Sequence, residues 1–515
     1  MRGGADNSRA VTMVIAMAIG IGAAVLLGRF VAQGDYTKIV LIVGAVFGML
    51  FILLLGERYW YLIPITVGLD LPTFPIGGRN INLSELAIAL CAGVYIIRLA
   101  LKREEMILFR LRNTPILLYM AWVLIVWALH PVGLAGLGSE IGGGRFYSTL
   151  LLAFASFVIV SNRSSVTEND IKWIFGFLLF GTLANLGRTL LEYVVLGHSL
   201  GIAGVDLDNE GSYTWHQALS GPALLILMLL FSRYAPSQIF SVSHLGRLFL
   251  YLGTIVPILL SGKRAAAAQL VFFPLLSAIL RRQFHYVFIF GIAAVLGIGG
   301  LVIGQGNIFD LPLNAQRALS WLPGEWDRSL SGMKGGQDDF RKALREIAWE
   351  QIQKDPLMGD GFRVDINETA GFYYATLQYG APDIRNQVMP YALGKSWHNT
   401  WLGYAADFGI PLSIIYAFLL ATGLIVTFRV IRQSQGSVWL NTMAVYCFLF
   451  FARDVLTSWT SGHSANDALG RWWMYGIVFA IADQMVRDRR ARNQTQAEVR
   501  AEAESATLDA KPIAG

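Results

Sequence analysis

Long apolar runs, broken by short polar or basic segments, dominate the chain. They lie near 11–32, 37–55, 58–71, 83–101, 115–130, 146–161, 171–196, 218–232, 246–260, 265–280, 284–304, 400–428, 437–452 and 471–486. A helix needs about 20 apolar residues to cross a bilayer, and most of these runs approach that length; the third is short enough to be tilted or re-entrant. One polar interval, 305–397, interrupts the pattern. Within it Phe340, Ala343, Leu344, Ile347, Ala348 and Ile352 recur at helical spacing, with Asp338 and Asp339 at the start and Pro356 just past the end. This predicts an amphipathic helix lying on the membrane domain. The expected fold is an all-α polytopic membrane protein with about 12–14 transmembrane helices and one large extracytoplasmic loop domain. The expected division is 1–304 for N-terminal membrane helices, 305–397 for the loop domain, 398–487 for C-terminal membrane helices and 488–515 for a disordered cytoplasmic tail.

Composition excludes a soluble enzyme. Of 515 residues 55% are hydrophobic and 15% charged, against about 25% charged in soluble domains. The basic balance, 41 Lys and Arg against 35 Asp and Glu, is mostly a topology signal. With Arg2 and Arg9 in the cytoplasm, Arg58, Lys102, Arg103, Arg110, Arg112, Arg163, Arg233, Arg281, Arg282, Arg429, Arg432 and the tail from Arg487 all fall inside. The positive-inside rule is thereby broadly satisfied, with Arg79 and Arg145 among the exceptions. Both termini are then cytoplasmic, the loop domain faces outward, and no nucleic-acid partner is implied. Cys91 and Cys447 sit inside apolar runs, so neither a disulfide framework nor a thiolate metal site follows. The N-terminal run is too long for a signal-peptide core and is expected to be a retained helix.

Four stretches on the outward side carry candidate chemistry. Lys263 and Arg264, in Ser261-Gly262-Lys263-Arg264, are cations on the side where Lys and Arg are scarce. Such groups need a partner or a ligand, and the Arg264 fork suits phosphate oxygens; the plainer alternative is a snorkelling turn. Arg341 and Arg345, one helical turn apart, can reach the same anion, or belong to a solvated face with Asp338 paired to Arg341. His398-Asn399 precedes Gly409 by about three turns of helix, which places both on one face of the span with His398 at its outer mouth. Its imidazole is suited to accept a proton near neutral pH, although a lone interfacial histidine is commonly structural. The turn Asp355-Pro356-Leu357-Met358-Gly359-Asp360-Gly361-Phe362 stops a helix, and Gly359 and Gly361 shape it. No Walker, HExxH or CxxC sequence occurs, so neither a nucleotide nor a metal cofactor is called for.

Taken in order, these motifs resemble the O-antigen ligase and O-antigen polymerase family. His-Asn, nine residues and then Gly follow a large outward loop. Ser-Gly-Lys-Arg-Ala at 261–265 is similar to the family's Ser-Gly-Ser-Arg-Gly stretch, Arg341 stands fifteen residues before Pro356, and 356–362 resembles a Pro-Leu-x-Gly-x-Gly turn. The resemblance covers roughly 245–430. Departures are Arg345 where Trp is frequent, Asp360 within the turn, and Leu412 in place of a second small residue. The resemblance implies a C-type glycosyltransferase-like enzyme of the bacterial inner membrane. It would move a glycan from a polyprenyl (undecaprenyl) pyrophosphate donor to a hydroxyl of lipid A core or of a growing glycan on the periplasmic side, with inversion. Energy resides in the sugar–pyrophosphate bond, so no cofactor is required. Arg264 and Arg341, helped by Arg345 and Lys263, are implied to hold the pyrophosphate. His398 is implied to be the base, with Asn399, Gly409, Gly359 and Gly361 in support. Trp321, Trp326, Tyr373, Tyr374 and Trp397 offer aromatic faces to sugars.

A transporter or lipid-linked glycan flippase is the rival class, with Arg188, Glu192 and Asp407 as its ionisable residues within apolar runs. Transporters show repeated halves and broken-helix sites at the midplane, whereas the single long loop divides this chain asymmetrically. A structural or sensor protein would account for the loop but not for the ordered motifs.

Overall fold

The computed structural model describes residues 54–69, 74–76, 79–133, 141–196, 215–320, 322–365, 384–393, 397–459 and 465–509, with Gly48, Ile52 and Lys395. The fold is that of an all-α polytopic membrane protein. Seven of the described helical segments are long and apolar enough to cross a membrane, and Ser220–Arg233 and Arg264–Leu280 are shorter apolar helices. The expected span at 11–32 and most of 37–55 fall outside the described residues. The expected short span at 58–71 is a 3-10 turn, Gly56–Tyr61, followed by α1, Leu62–Leu69.

The membrane helices continue as α2, Leu83–Ala100, α3, Thr114–Leu129, α4, Gly144–Ser161, α5, Glu168–Leu196, α6, Trp215–Arg233, α7, Leu245–Leu260, α8, Arg264–Leu280, and α9, Phe284–Gly304. Two-stranded ribbons trim one end of the helices. Strand β1 (Phe74–Ile76) pairs antiparallel with β2 (Arg79–Ile81), and β3 (Ile141–Gly142) pairs with Val364–Asp365. Glu85, buried in the first turn of α2, accepts from the Asn82 amide (3.0 Å) and the Thr149 hydroxyl (2.7 Å). It also lies 3.6 Å from Arg145, so one exception to the positive-inside pattern carries its own counter-ion.

The loop domain holds α10, Leu313–Leu319, α11, Arg328–Lys354, and α12, Ile384–Leu393. Helix α11 begins about ten residues before the expected Asp338 start, and it ends where Pro356 forbids continuation. Its apolar face buries Ala343, Leu344, Ile347, Ala348 and Ile352 against Val388, Ala392, Trp397, Ala405 and Ala406. The chain then forms α13, Thr400–Gln433, α14, Val438–Thr457, and α15, Ala465–Asp509, the last packed along α4. The tail, expected to be disordered or loosely helical, continues α15 as helix to Asp509. Its Ala, Glu, Arg and Gln are strong helix formers, and its described side chains after Val486 are exposed.

Helix α13 is not the straight span that the sequence suggests. Gly409 has φ 77° and ψ 165°, far from helical values. Trp401 and Ser413 would stand about 18 Å apart on a continuous helix, yet the Ser413 hydroxyl donates to the Trp401 carbonyl at 2.7 Å. The Tyr404 and Tyr416 rings lie 4.9 Å apart. The chain therefore folds back at Gly409, giving a short helix 400–408 and an apolar helix 410–433. The expectation that His398 and Gly409 share one face of a continuous span is thereby corrected: a residue with positive φ ends the first helix, and Pro411 cannot supply an amide to bridge the break.

Gly409→Ala is expected to lower stability by about 1–3 kcal/mol through backbone strain alone. Its Cβ would also run into the Leu357 carbonyl. Thermal unfolding of the purified chain followed by size-exclusion should show an earlier transition; an unchanged midpoint would mean that the break relaxes freely.

Candidate active site

The reversal at Gly409 works as a post to which the loop turn is fastened. Breaking a helix strands backbone groups, and inside a protein each needs a partner. Here Ile410 N–H donates to the Pro356 carbonyl (2.9 Å) and the Asp407 carbonyl accepts from Gly361 N–H (2.6 Å). The Phe408 carbonyl accepts from the Trp122 indole (2.8 Å). Gly359 and Gly361 have φ of +60° and +63°, and a side chain on either would strike the Asp407 backbone or the Tyr147 hydroxyl. That hydroxyl accepts from Phe362 N–H at 3.1 Å, while Phe362, Tyr147 and Phe408 stack edge to face beneath. Thus Gly359, Gly361 and Gly409 build one tight joint.

Above the joint a second anchor sets the segment carrying His398. The Asp407 side chain is fully buried. It lies 3.2 Å from the Lys395 ammonium and accepts from the Trp397 indole N–H at 3.1 Å to each oxygen. Residues on both sides of the Lys395–Trp397 stretch are so pinned to one carboxylate, with Lys395 held at φ 56°. Asn399 caps helix 400–408 by accepting from Leu402 N–H (3.0 Å) and donates to the Trp459 carbonyl (3.4 Å). Thr400 N–H donates to the Ser458 carbonyl (2.8 Å). His398 is left exposed, its ring against Phe340 (5.8 Å between centroids) and Tyr391 (6.5 Å).

The result is a cavity of about 180 Å³ lined by Arg341, Arg345, Trp397, His398, Asn399 and Trp459 among others. Arg341 is half-buried and Arg345 exposed, with the Arg345 Nε donating to the Arg341 carbonyl at 3.2 Å. One side of the ring stays open to solvent while the other packs against Phe340 and Tyr391; this partial burial, and next the positive Arg341, lower the His398 pKa below its ordinary value. The imidazole is therefore neutral near pH 7 and has a lone pair to offer. An arginine pair beside a neutral histidine can hold an anionic group and take up a proton close by.

Lys263 and Arg264 do not line this cavity. They lie at the start of α8, after a turn in which Gly262 has φ 68°. Lys263 donates to the Ser220 hydroxyl (3.2 Å), and burial lowers its pKa. Arg264 donates to the Ser320 hydroxyl at the end of α10 (3.1 Å), which ties it to the loop domain. Trp397 contributes to the cavity wall with its N–H engaged, whereas Trp326 donates to the Leu322 carbonyl (2.9 Å). Trp321, Tyr373 and Tyr374 lie outside the described residues, as does the side chain of Asp338. Sequence reasoning did not place Asp407, Lys395 or Trp459 at the site. A lone carboxylate in an apolar stretch is the available signal for Asp407, one that a transport residue such as Arg188 or Glu192 would share.

Fold and cavity together define a multi-pass membrane protein with a pocket lined by Arg341, Arg345 and His398 between α11 and the start of helix 400–408. Residues 248–417 match the family model described as O-antigen ligase. That stretch contains Lys263, Arg264, α11, the Gly359 turn, His398 and the Gly409 reversal, and the match supports an O-antigen ligase family assignment. With it comes a membrane glycan-processing, glycosyltransferase-like function. No curated protein matches the chain.

Removing one partner of a buried ion pair costs about 3–5 kcal/mol, because the other charge stays buried. Asp407→Asn should therefore destabilise the protein markedly, and adding Lys395→Met should recover much of the loss. Unfolding midpoints of both variants measure this; a double variant no better than the single one would show that the pair does not carry the anchor.

Proposed function

We propose that the protein transfers a glycan from a polyprenyl pyrophosphate to an acceptor hydroxyl on the periplasmic side of the bacterial inner membrane, most simply as an O-antigen ligase acting on lipid A core. The observation that carries this reading is the shared cavity of Arg341, Arg345 and His398 within the segment matching the O-antigen ligase model. When the sugar–pyrophosphate bond breaks, negative charge grows on the leaving phosphate. Guanidinium forks fixed beforehand stabilise that charge without reorganising. Arg341 and Arg345 fill this role, and Lys263 and Arg264 supply further cations where α8 meets α10. His398, neutral and exposed at the cavity wall, orients the acceptor hydroxyl and takes its proton. Attack from the side opposite the pyrophosphate inverts the anomeric carbon. Asn399 and the glycine joint hold the parts in register.

Polymerisation of repeat units uses the same donor and differs only in the acceptor. A transporter reading loses support from Asp407, which is engaged with Lys395 and Trp397 at the reversal. Arg188, for its part, donates to Asn185 at 2.8 Å.

In a deletion strain complemented at matched membrane levels, wild type should restore surface glycan and His398→Ala should not. Long carrier-linked glycan with bare lipid A core in the His398→Ala strain identifies a ligase, and single repeat units on the core identify a polymerase. Normal glycan in that strain would make His398 structural and sink the proposed chemistry.

The electrostatics give a second expectation. Arg341 disfavours the imidazolium form, so Arg341→Gln raises the His398 pKa and moves the acidic limb of kcat/KM to higher pH, besides lowering its plateau. A limb that stays in place would mean that His398 is not the group titrating there.

A further inference from the structure

At the end of the helices opposite His398 lies a larger and differently built cavity. Helix 410–433 runs from the reversal to that end, and α14 returns from there to Ser458 beside Asn399. The cavity measures about 590 Å³, within the usual range of about 300–1,000 Å³ for ligand sites. Its wall includes Arg233, Arg247, Arg281, Arg282, Arg432 and His244, and no Asp or Glu.

An excess of arginine at this end is expected from topology alone, so the decisive point is how the charges are compensated. Elsewhere at the same end arginines have carboxylates: Arg110 and Arg112 share Asp483, and Arg98 and Arg163 share Glu104. Among the described residues none of the five cavity arginines forms an ion pair. Aromatic faces and a carbonyl hold four of them instead. Arg247 lies 4.0 Å from the Tyr234 ring centre, Arg233 4.8 Å from Trp439 and Arg432 4.9 Å from Phe428. Arg281 donates to the Ser232 carbonyl at 2.7 Å, and its Nε is buried with no partner among the described residues. Such contacts fix a guanidinium without neutralising it. Next to the cavity, Leu245 and Phe249 on α7 and Phe284 and Phe288 on α9 are exposed, an apolar surface leading from the arginines along the outside of two membrane helices.

We propose that this cavity binds the phosphate headgroup of an anionic membrane lipid, whose acyl chains lie along α7 and α9. The site favours a lipid with two phosphates over one with a single phosphate, because the uncompensated guanidinium groups come from four separate chain segments and surround the space. Basic pockets between membrane helices are recognised hosts for such headgroups. A soluble phosphate would use the arginines but not the apolar surface, which selects the lipid as occupant. The inference is independent of the chemistry proposed at His398.

Native mass spectrometry of the full, detergent-purified chain tests it, with titration by diphosphatidylglycerol, phosphatidylglycerol, phosphatidylcholine and inorganic pyrophosphate. Diphosphatidylglycerol should bind most tightly and phosphatidylcholine not detectably. Arg247→Gln with Arg432→Gln should weaken diphosphatidylglycerol by about tenfold or more, the loss expected for charge-assisted hydrogen bonds. Arg247→Lys with Arg432→Lys, a milder change, should fall between, and His398→Ala should bind as wild type does. Equal retention of diphosphatidylglycerol by the glutamine variant and wild type would overturn the site. Displacement of the lipid by equimolar pyrophosphate would overturn the lipid as its occupant.

Discussion

A backbone that leaves the helical path inside a membrane protein must find a partner for each polar group it exposes, and that requirement organises the half of this structure that carries His398. At Gly409 the chain reverses, and the groups released there are taken up by Pro356 and Gly361 of the loop turn and by the Trp122 indole on α3. The turn cannot move without breaking these bonds, nor can helix 400–408. Because α11 runs directly into the turn and packs on Ala405 and Ala406, the arginines and the histidine are positioned by one joint, although more than fifty residues separate Arg341 from His398.

A second layer of control is electrostatic. Asp407 is shut off from solvent, and its charge is tolerable only because Lys395 and Trp397 satisfy it. Isolated, the pair adds little stability. Its value is geometric, since it fixes the residues just before His398 and leaves the imidazole itself exposed to a substrate. The arrangement places rigid parts underneath and the reactive group on top.

Much of this was legible in the sequence. The apolar runs and the single long polar interval specify the membrane class, since length and charge leave few alternatives. The amphipathic spacing from Phe340 to Ile352 reveals the buried face of α11 and puts Arg341 and Arg345 together at its edge. What could not be read were relations across the fold. Eleven residues between His398 and Gly409 fit three turns of one helix, and only the Gly-x-Pro at 409–411 hints at a break, because a reversal depends on distant partners for its backbone. Asp407 looked like a charge within a span for the same reason: Lys395 and Trp397 reach it only once the chain folds back. Lys263 and Arg264 do not line the cavity of the loop arginines; serines on α6 and after α10 hold them where α8 meets α10, a relation that no local motif shows. The basic cavity at the far end is assembled from four stretches, none of which is a motif alone.

The neighbourhood of Arg341 and His398 has a temporal side. On the proposed function, the cation that weakens the base is the same one that receives the donor's phosphate. While the site is empty, Arg341 adds to the lowering of the imidazole pKa that burial begins. Once a phosphate neutralises that cation, the imidazole gains basicity. On that reading the base strengthens as the donor's phosphate arrives, so the order of the two steps is favoured by a single pair of side chains.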